Sequence, residues 1–339
     1  MDIFLQQIIN GLTAGSVYAL VALGYTMVYG IIGLINFAHG DVVMVGAMVA
    51  TSIVLALVGH YGDVSAIVAI GAALVVSIPV CMALGWTAER IAYLPGWLML
   101  LISAIIACVV AASLNFVIEK VAYRPLRSSP RLAPLITAIG VSIIIQNVAM
   151  MFWGRNYLNF PQLAQPSVFQ LGDARLSLLQ IVIMLGSALI MAALLLLVHK
   201  TRLGMAMRAT AQNREVAGLM GVNINTVISA AFLIGSALAA VAGVMITSYY
   251  GVAQYTMGFM LGLKAFTAAV LGGIGNLGGA MLGGLLLGLI EALGSGYVGN
   301  LTNGVFGSHY QDVFSFIVLV VVLIFRPSGL LGERSGDRA

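Results

Sequence analysis

Charged residues are scarce in this sequence of 339 residues. Asp, Glu, Lys and Arg make up 8% of the chain, whereas an ordinary soluble domain carries about 25%. Hydrophobic residues make up 61%, so no soluble domain of any size can be separated from the rest. The formal net charge of +4 is too small to indicate a nucleic-acid partner. The composition therefore predicts an integral membrane protein.

Motifs for covalent chemistry and for nucleotide binding are also absent. No Gly-Lys dipeptide occurs, so the chain has no P-loop and cannot bind ATP by that route. Neither Gly-x-Ser-x-Gly nor His-Glu-x-x-His is present, which argues against a membrane enzyme. Cys81 and Cys108 lie within apolar runs without CxxC spacing and are predicted to be buried small residues. We expect no catalytic residues and no cofactor bound by this chain.

Apolar runs near the length of a bilayer span recur along the whole sequence. In lipid every backbone polar group must be paired internally, and these runs lack the period-two alternation of barrel strands. We therefore predict an all-α, polytopic bundle of about eight to ten spanning helices, forming one transmembrane domain over residues 1–339. The candidate segments are 8–30, 40–59, 64–85, 97–119, 134–153, 178–198, 226–248, 260–273 with 277–294, and 312–325.

Basic residues form three clusters, which the positive-inside rule places in the cytoplasm. The clusters are Lys120, Arg124, Arg127 and Arg131; Lys200, Arg202, Arg208 and Arg214; and Arg326, Arg334 and Arg338. This orientation predicts an external loop over about 155–177 and an even number of crossings over 250–311, as two short helices or a re-entrant pair. The related stretches ERIAYLP at 89–95 and EKVAYRP at 119–125 are difficult to reconcile with this alternation of sides. The side of the membrane on which the N-terminus lies therefore stays open.

Small residues recur every fourth position in three of these segments. They are Gly11, Gly15 and Ala19; Ala231, Gly235, Ala239 and Gly243; and Ala280, Gly284 and Gly288. Such spacing lets transmembrane helices pack closely, either as static contacts or as a sliding interface, and the static alternative is the simpler one.

The longest polar stretch, RATAQNREVAGLMGVN at 208–223, lies between two apolar segments. It predicts a short amphipathic cytoplasmic helix over about 205–221, with Gly221 in the left-handed C-terminal position and Asn225 as N-cap of the next helix. One stripe is polar, with Arg208, Gln212 and Glu215, and the other is apolar, with Met205, Ala209, Val216, Leu219 and Met220. The helix rests on lipid headgroups or docks on a protein. Its mixed charge favours the protein.

Polar residues also interrupt the apolar runs themselves. Asn36, His39 and Asp41 form either a polar turn at a membrane face or part of a broken helix lining a translocation path. One His and one Asp cannot complete a metal shell, so no metal site is expected.

Two later features also have both a structural and a functional interpretation. The glycine-rich run around Gly275 and Asn276 is a tight turn or a helix discontinuity near a substrate. Glu291 lies halfway along an apolar run, where it forms an ion pair with Lys264 or takes part in gating. These residues complete the translocation-path candidates.

Part of the polar stretch carries a family resemblance. Glu215-Val216-Ala217 followed by Gly221 resembles the EAA loop of ABC importer permeases, in which the coupling helix docks into a cytoplasmic ATPase. The resemblance implies ATPase coupling by Arg208, Gln212, Glu215, Ala217 and Gly221. The Ile-x-Leu-Pro ending of that loop is absent, since residues 231–234 read AFLI.

Three longer blocks extend the resemblance to nearly the whole chain. NGLTAGSVYALVALGYTMVYGIIGLINFAHGDV at 10–42, AYRPLRSSPRLAPLITAIG at 122–140 and GLKAFTAAVLGGIGNLGGAMLGGLLLGLIEALGSGY at 262–297 closely resemble the LivH-type permease of high-affinity branched-chain amino acid transporters. One departure is the Glu-x-x-Ala-Tyr-x-Pro element, which appears twice here and affects the helix count.

The resemblance implies a multi-pass permease of the bacterial inner membrane that moves leucine, isoleucine or valine by alternating access. It further implies a second, LivM-like permease, two LivG/LivF-like ATPases that use ATP and Mg, and a periplasmic amino-acid-binding protein. The alternative is an ion-gradient-driven secondary transporter of small amino acids. That transporter would need a carboxylate or histidine relay, for which His39, Asp41 and Glu291 are the candidates.

Overall fold

The computed structural model of the chain describes residues 2–57, 96–126, 129–130, 132–161, 168–171, 174–301 and 310–332. These ranges contain eleven α-helices, one π-helical turn and four short strands. The helices are α1 (Asp2–Ile32), α2 (His39–Leu57), α3 (Gly96–Ile118), α4 (Leu132–Trp153), α5 (Leu178–Lys200), α6 (Arg202–Gln212), α7 (Arg214–Leu219), α8 (Ile224–Tyr250), α9 (Met257–Gly272), α10 (Leu277–Leu301) and α11 (Gln311–Phe325). The predicted all-α polytopic class is confirmed.

Six of the described helices are long and apolar enough to cross a membrane. They are α1, α3, α4, α5, α8 and α10, and three shorter apolar helices, α2, α9 and α11, accompany them. Segment 250–311 contains α9 and α10, and the choice between two crossing helices and a re-entrant pair stays a prediction. The predicted segment 64–85, Cys81 and the stretch 89–95 lie outside the described residues, so the total number of spans stays a prediction.

Local signals in the sequence set the ends of several helices. Ser177 and Gln180 form a reciprocal capping box at the start of α5, with backbone-to-side-chain hydrogen bonds of 3.0 and 3.2 Å. At the end of α3, a π-helical turn, Glu119–Tyr123, continues the helix, and Arg124 N donates to Glu119 O at 2.8 Å.

The chain divides into two compact units. Unit 1 comprises Met1–Gly33, Pro166–Ile228 and Leu263–Ala339. Its main contact is an antiparallel pairing of α1 with α10 through the predicted small residues: a Cβ on Gly15 would lie 2.9 Å from Gly284 O. A Cβ on Gly11 would lie equally close to Gly288 O. Because lipid provides no hydrophobic drive between helices, such close backbone approach is what joins them.

Unit 2 comprises Leu34–Gln165 and Ser229–Gly262. Here Asn115 of α3 donates to the carbonyl of Phe232 in α8 at 2.9 Å, and Trp153 of α4 donates to Ser52 of α2 at 2.7 Å. A Cβ on Gly46 of α2 would lie 2.6 Å from the Cα of Ala240, so these two helices also touch through small residues. Interhelical hydrogen bonds and small-residue contacts therefore stabilise each unit internally.

The four strands form two small antiparallel sheets. β1 (Leu158–Asn159) pairs with β4 (Val252–Ala253) in unit 2, with Leu158 opposite Ala253. β2 (Val168–Leu171) and β3 (Ala174–Ser177) pair in unit 1, with Val168 opposite Ser177. Both sheets involve the predicted external loop, which is therefore partly ordered by backbone pairing.

Candidate coupling segment and buried polar clusters

The predicted amphipathic helix at 205–221 is two helices rather than one. α6 begins earlier, at Arg202, and ends at Gln212, and α7 follows after a break at Asn213. Asn213 has an extended backbone (φ −154°, ψ 112°), and its side chain accepts a hydrogen bond from Val216 N at 3.1 Å. An N-cap residue must leave the helical conformation, so Asn213 ends α6 and starts α7. We call residues 202–221 the α6–α7 segment.

A side-chain cap and a backbone cap fix the two ends of the α6–α7 segment. Thr201 accepts a hydrogen bond from Gly204 N at 3.1 Å and caps α6. Gly221 has φ +87°, and Val222 N donates to Ala217 O at 3.0 Å. This is a Schellman ending, so the predicted left-handed position of Gly221 is confirmed. The predicted Asn225 cap is wrong: Asn223 caps α8 by accepting from Thr226 N at 3.2 Å, two residues earlier.

The buried face of the segment differs from the predicted apolar stripe. Gly204, Met207, Thr210 and Ala217 are buried, whereas the exposed fractions of Met205, Val216, Leu219 and Met220 are 63%, 53%, 87% and 81%. Arg208, Gln212 and Glu215 are exposed as well. The break at Asn213 changes the helical register and separates the two halves of the stripe. The outcome is an exposed surface that mixes large apolar side chains with both signs of charge.

Arg214, the first residue of α7, ties the segment to α1. Its Nε and Nη2 both donate to the carbonyl of Ile31, at 3.0 and 2.7 Å. The last carbonyls of a helix have no partner within it and carry its negative dipole end, so a guanidinium satisfies both needs. The sequence offered only the cation, and nothing in it indicated this acceptor 183 residues away.

A buried ionic cluster lies in unit 1 around Glu291. Lys264 Nζ is 3.1 Å from Glu291 Oε2 and 2.7 Å from Asp312 Oδ1, so the predicted Glu291–Lys264 ion pair is confirmed. Tyr18 donates to Glu291 Oε2 at 2.9 Å and Ser315 donates to Oε1 at 3.0 Å. Both carboxylate oxygens of Glu291 are thus satisfied by neighbours from three other helices. Tyr18, Asp312 and Ser315 were not among the predicted site residues, although each is a polar residue inside or beside an apolar run.

A second polar cluster lies in unit 2, where Asn36, His39 and Asp41 are all buried. Asn36 is in the turn before α2 and accepts a hydrogen bond from Tyr123 at 2.7 Å. Asp41, in the first turn of α2, accepts one from Gln146 of α4 at 2.9 Å. Sequence reasoning missed Tyr123 and Gln146, whose signal was again polarity within apolar surroundings.

Gly275 and Asn276 lie in the turn that joins α9 to α10. Asn276 accepts from Gly279 N at 3.0 Å and donates to Leu331 O at 2.8 Å. Backbone bonds of 2.9 Å from Leu330 N to Leu271 O and from Leu331 N to Gly272 O hold the segment after α11 against this turn. The glycine-rich run therefore forms a tight turn covered by the C-terminal segment, and a role for Gly275 and Asn276 in translocation stays a prediction.

The whole chain can be compared with known proteins. It matches the family described as "Branched-chain amino acid transport system / permease component" over residues 7–323. The chain belongs to this permease family. It is 44% identical over 335 residues to the "High-affinity branched-chain amino acid transport system permease protein BraD" of Pseudomonas aeruginosa, covering 97% of this chain and 96% of that protein.

The permease is also similar to two further transport proteins. It is 43% identical over 339 residues to the corresponding LivH protein of Escherichia coli, again covering 97% of this chain and 96% of that protein. The LivH-type resemblance is thereby confirmed. It is also 32% identical over 143 residues to the "Autoinducer 2 import system permease protein LsrC" of Yersinia enterocolitica, covering 40% of this chain and 38% of that one. The permease is a multi-pass membrane transport subunit and not an enzyme.

Proposed function

We propose that this permease is the membrane subunit of an ATP-driven ABC importer that carries leucine, isoleucine and valine across the bacterial inner membrane. The main support is near-full-length identity above 40% to two proteins named as high-affinity branched-chain amino acid permeases. The chain has no P-loop, so ATP and Mg are used by separate subunits. The complex contains two LivG/LivF-like ATPases, a second, LivM-like permease and a periplasmic amino-acid-binding protein.

The α6–α7 segment is the part that the ATPases hold. Large exposed apolar side chains at Val216, Leu219 and Met220 are typical of a surface that another protein covers. Exposed Arg208, Gln212 and Glu215 supply the polar rim, Ala217 lies on the buried side, and Gly221 ends the segment. Capping at Thr201, Asn213 and Gly221 keeps this surface in one shape, so movement of the ATPases displaces it as a body.

The orientation of α1 follows from its two ends. Its C-terminal carbonyl at Ile31 contacts Arg214 of the α6–α7 segment, which the ATPases reach only from the cytoplasm. Near its other end, Gln6 accepts from Arg175 N at 2.8 Å, and Arg175 belongs to the external loop. A helix of 31 residues is about 46 Å long, enough to connect the two surfaces. We infer that the N-terminal end of α1 faces the periplasm.

The buried polar residues are candidates for the translocation path. A charged group inside a membrane protein is costly on the order of 3 kcal/mol unless it is paired or near water, so it is retained mainly for function. Asn36, His39, Asp41 and Glu291 are the candidates with the deepest burial, and Gly275 and Asn276 lie at a helix junction. Alternating access would expose such groups to either side in turn.

A secondary transporter driven by an ion gradient is the competing mechanism. It would use the same carboxylates as an ion relay and would require no ATPase. Family membership weighs against it, because the relatives are named as components of transport systems rather than as independent carriers.

Reconstitution separates the two mechanisms. The purified permease, its partner permease and the ATPases are placed in proteoliposomes with ATP inside, and uptake of labelled leucine is measured with the binding protein outside. We expect uptake only with ATP and all subunits, and loss of uptake in Glu215→Arg and Gly221→Pro. The control Lys200→Gln removes an exposed cation outside the α6–α7 segment and should keep uptake. Gradient-driven uptake by the permease alone would overturn the proposal.

A further inference from the structure

Arg214 occupies the joint between the two helices of the α6–α7 segment. Asn213 breaks the helix immediately before it, and the exposed residues Val216 and Leu219 follow within one and a half turns. Two guanidinium N–H groups converge on one carbonyl oxygen, that of Ile31, at 3.0 and 2.7 Å. Two donors on one rigid fork fix both the distance and the direction of the contact, which a single ammonium does not.

The acceptor is a backbone carbonyl at the end of α1. A backbone atom, unlike a side-chain atom, cannot rotate away when its partner moves. Gly33, one residue beyond α1, turns the chain away with φ +68°, and its N–H donates to Tyr29 O at 2.7 Å. The carbonyl of Ile31 therefore points out of a closed helix end toward Arg214. A displacement of α7 acts on the body of α1 and not on a compliant loop.

α1 continues from this contact into the packed interior of unit 1. Its glycines at 11 and 15 touch the backbone of α10, and Tyr18 donates to Glu291 at 2.9 Å. The same helix that Arg214 holds at its cytoplasmic end thus contacts α10 and the buried ionic cluster. Close-packed backbones transmit displacement because they have no space in which to yield.

We propose that Arg214 is the positioning residue that passes displacement of the α6–α7 segment to α1. The proposal rests on the proposed importer function and assigns a task within it: the exposed face of α7 binds the ATPase, and Arg214 connects that docked helix to the spanning bundle. Loss of Arg214 leaves the docking face in place but removes its two-donor link to the end of α1. ATP hydrolysis then continues without proportionate transport.

The test measures hydrolysis and transport in the same vesicles. The complete complex is reconstituted with wild-type permease, Arg214→Gln or Arg214→Lys, and leucine uptake and phosphate release are recorded with ligand-loaded binding protein. We expect Arg214→Gln to co-purify with the ATPases, to hydrolyse ATP within about twofold of wild type and to move about tenfold less leucine per ATP, the size expected when a charged hydrogen-bonded contact becomes a neutral one. Arg214→Lys should be intermediate, because it keeps a cation but loses the two-nitrogen fork.

The control is Arg326→Gln. Arg326 is an exposed arginine whose Nη1 also contacts a backbone carbonyl, that of Leu330 at 3.4 Å, but within its own turn. It should keep the wild-type ratio of transport to hydrolysis. A wild-type ratio in Arg214→Gln, or a proportional loss of both activities, overturns the role of Arg214. If Arg214→Gln does not assemble, the same ratio in Arg214→Lys decides. Absence of ATP-dependent uptake by the wild-type complex would instead overturn the importer function itself.

Discussion

Lys264 and Glu291 lie 3.1 Å apart, Nζ to Oε2, on the consecutive helices α9 and α10. Their side chains are 12% and 6% exposed, so water provides little of their solvation. Asp312 adds a second carboxylate 2.7 Å from the same ammonium. Lys264 is therefore the single cation between two anions in this cluster. Removing the cation and removing one anion should therefore have different effects on stability.

Removing the cation should destabilise the permease more than removing one anion. Lys264→Met leaves Glu291 and Asp312 facing each other, which should cost about 3–5 kcal/mol of folding free energy, as for other buried pairs that lose one partner. Glu291→Gln leaves Lys264 paired with Asp312 and should cost less. Thermal unfolding in detergent, followed by size-exclusion chromatography, measures both. A Lys264→Met variant as stable as Glu291→Gln would contradict this assignment.

The α1–α10 contact should not accept even one methyl group. Gly15→Ala places a Cβ 2.9 Å from Gly284 O, so the helices must separate, at a cost of about 1–3 kcal/mol. Gly140→Ala on α4 is the matched control, because a Cβ there meets nothing within 4 Å. The melting temperature of Gly140→Ala should be unchanged or slightly higher, because glycine destabilises a helix interior relative to alanine. Equal melting temperatures for the two variants would show that α1 and α10 are not in close contact.

Gly221 should tolerate asparagine better than alanine. Its φ of +87° is unfavourable for residues with a Cβ by about 1–2 kcal/mol, and asparagine enters this region more readily. Because a Cβ at Gly221 meets no other atom within 4 Å, the effect is conformational and not steric. We expect Gly221→Ala to reduce co-purification of the ATPases and Gly221→Asn to retain most of it. The opposite order would argue against a left-handed cap.

Loss of the Asp41 charge should impair transport without preventing assembly. Asp41→Asn keeps an oxygen for the 2.9 Å hydrogen bond from Gln146 but removes the negative charge. If the charge acts on the zwitterionic substrate, leucine uptake by the reconstituted complex should fall about tenfold, as for one charged contact. Thr51→Val, a buried polar-to-apolar change on the same helix, serves as the control. Unchanged uptake in Asp41→Asn would remove Asp41 from the translocation path.

The orientation of α1 can be measured by cysteine labelling. Phe4 is 49% exposed, and Leu219 is 87% exposed. In a permease lacking Cys81 and Cys108, a membrane-impermeant maleimide applied to spheroplasts should modify Phe4→Cys. It should modify Leu219→Cys only after the membrane is opened. Labelling with the reverse pattern would place the N-terminal end of α1 in the cytoplasm and the α6–α7 segment outside.

Much of the fold was predictable because the bilayer restricts what an apolar chain can do. Continuous apolar runs with few charges allow only paired backbones, so the polytopic helical class followed from composition. The small-residue spacing of α1 and α10 predicted close packing, and Glu291 predicted its partner Lys264 because an isolated buried charge is costly. Gly221 was predictable as a cap, since few other residues take that conformation.

Tertiary structure alone decided which face of each element is covered. Transmembrane helices are apolar on all sides, so the period of their sequence does not identify the face that packs inward. In the amphipathic α6–α7 segment, the sequence period predicted the wrong buried face. The contact from Arg214 to Ile31 joins atoms 183 residues apart, which no local pattern records. Tyr18 and Gln146 joined their clusters for the same reason: a buried carboxylate takes whichever donors the packing of distant helices brings within reach. Asp312 joined its cluster as a second acceptor for Lys264. The sequence thus determined that the chain is a polytopic helical membrane protein. The tertiary packing determined which residues contact one another in the buried clusters and in the α6–α7 segment.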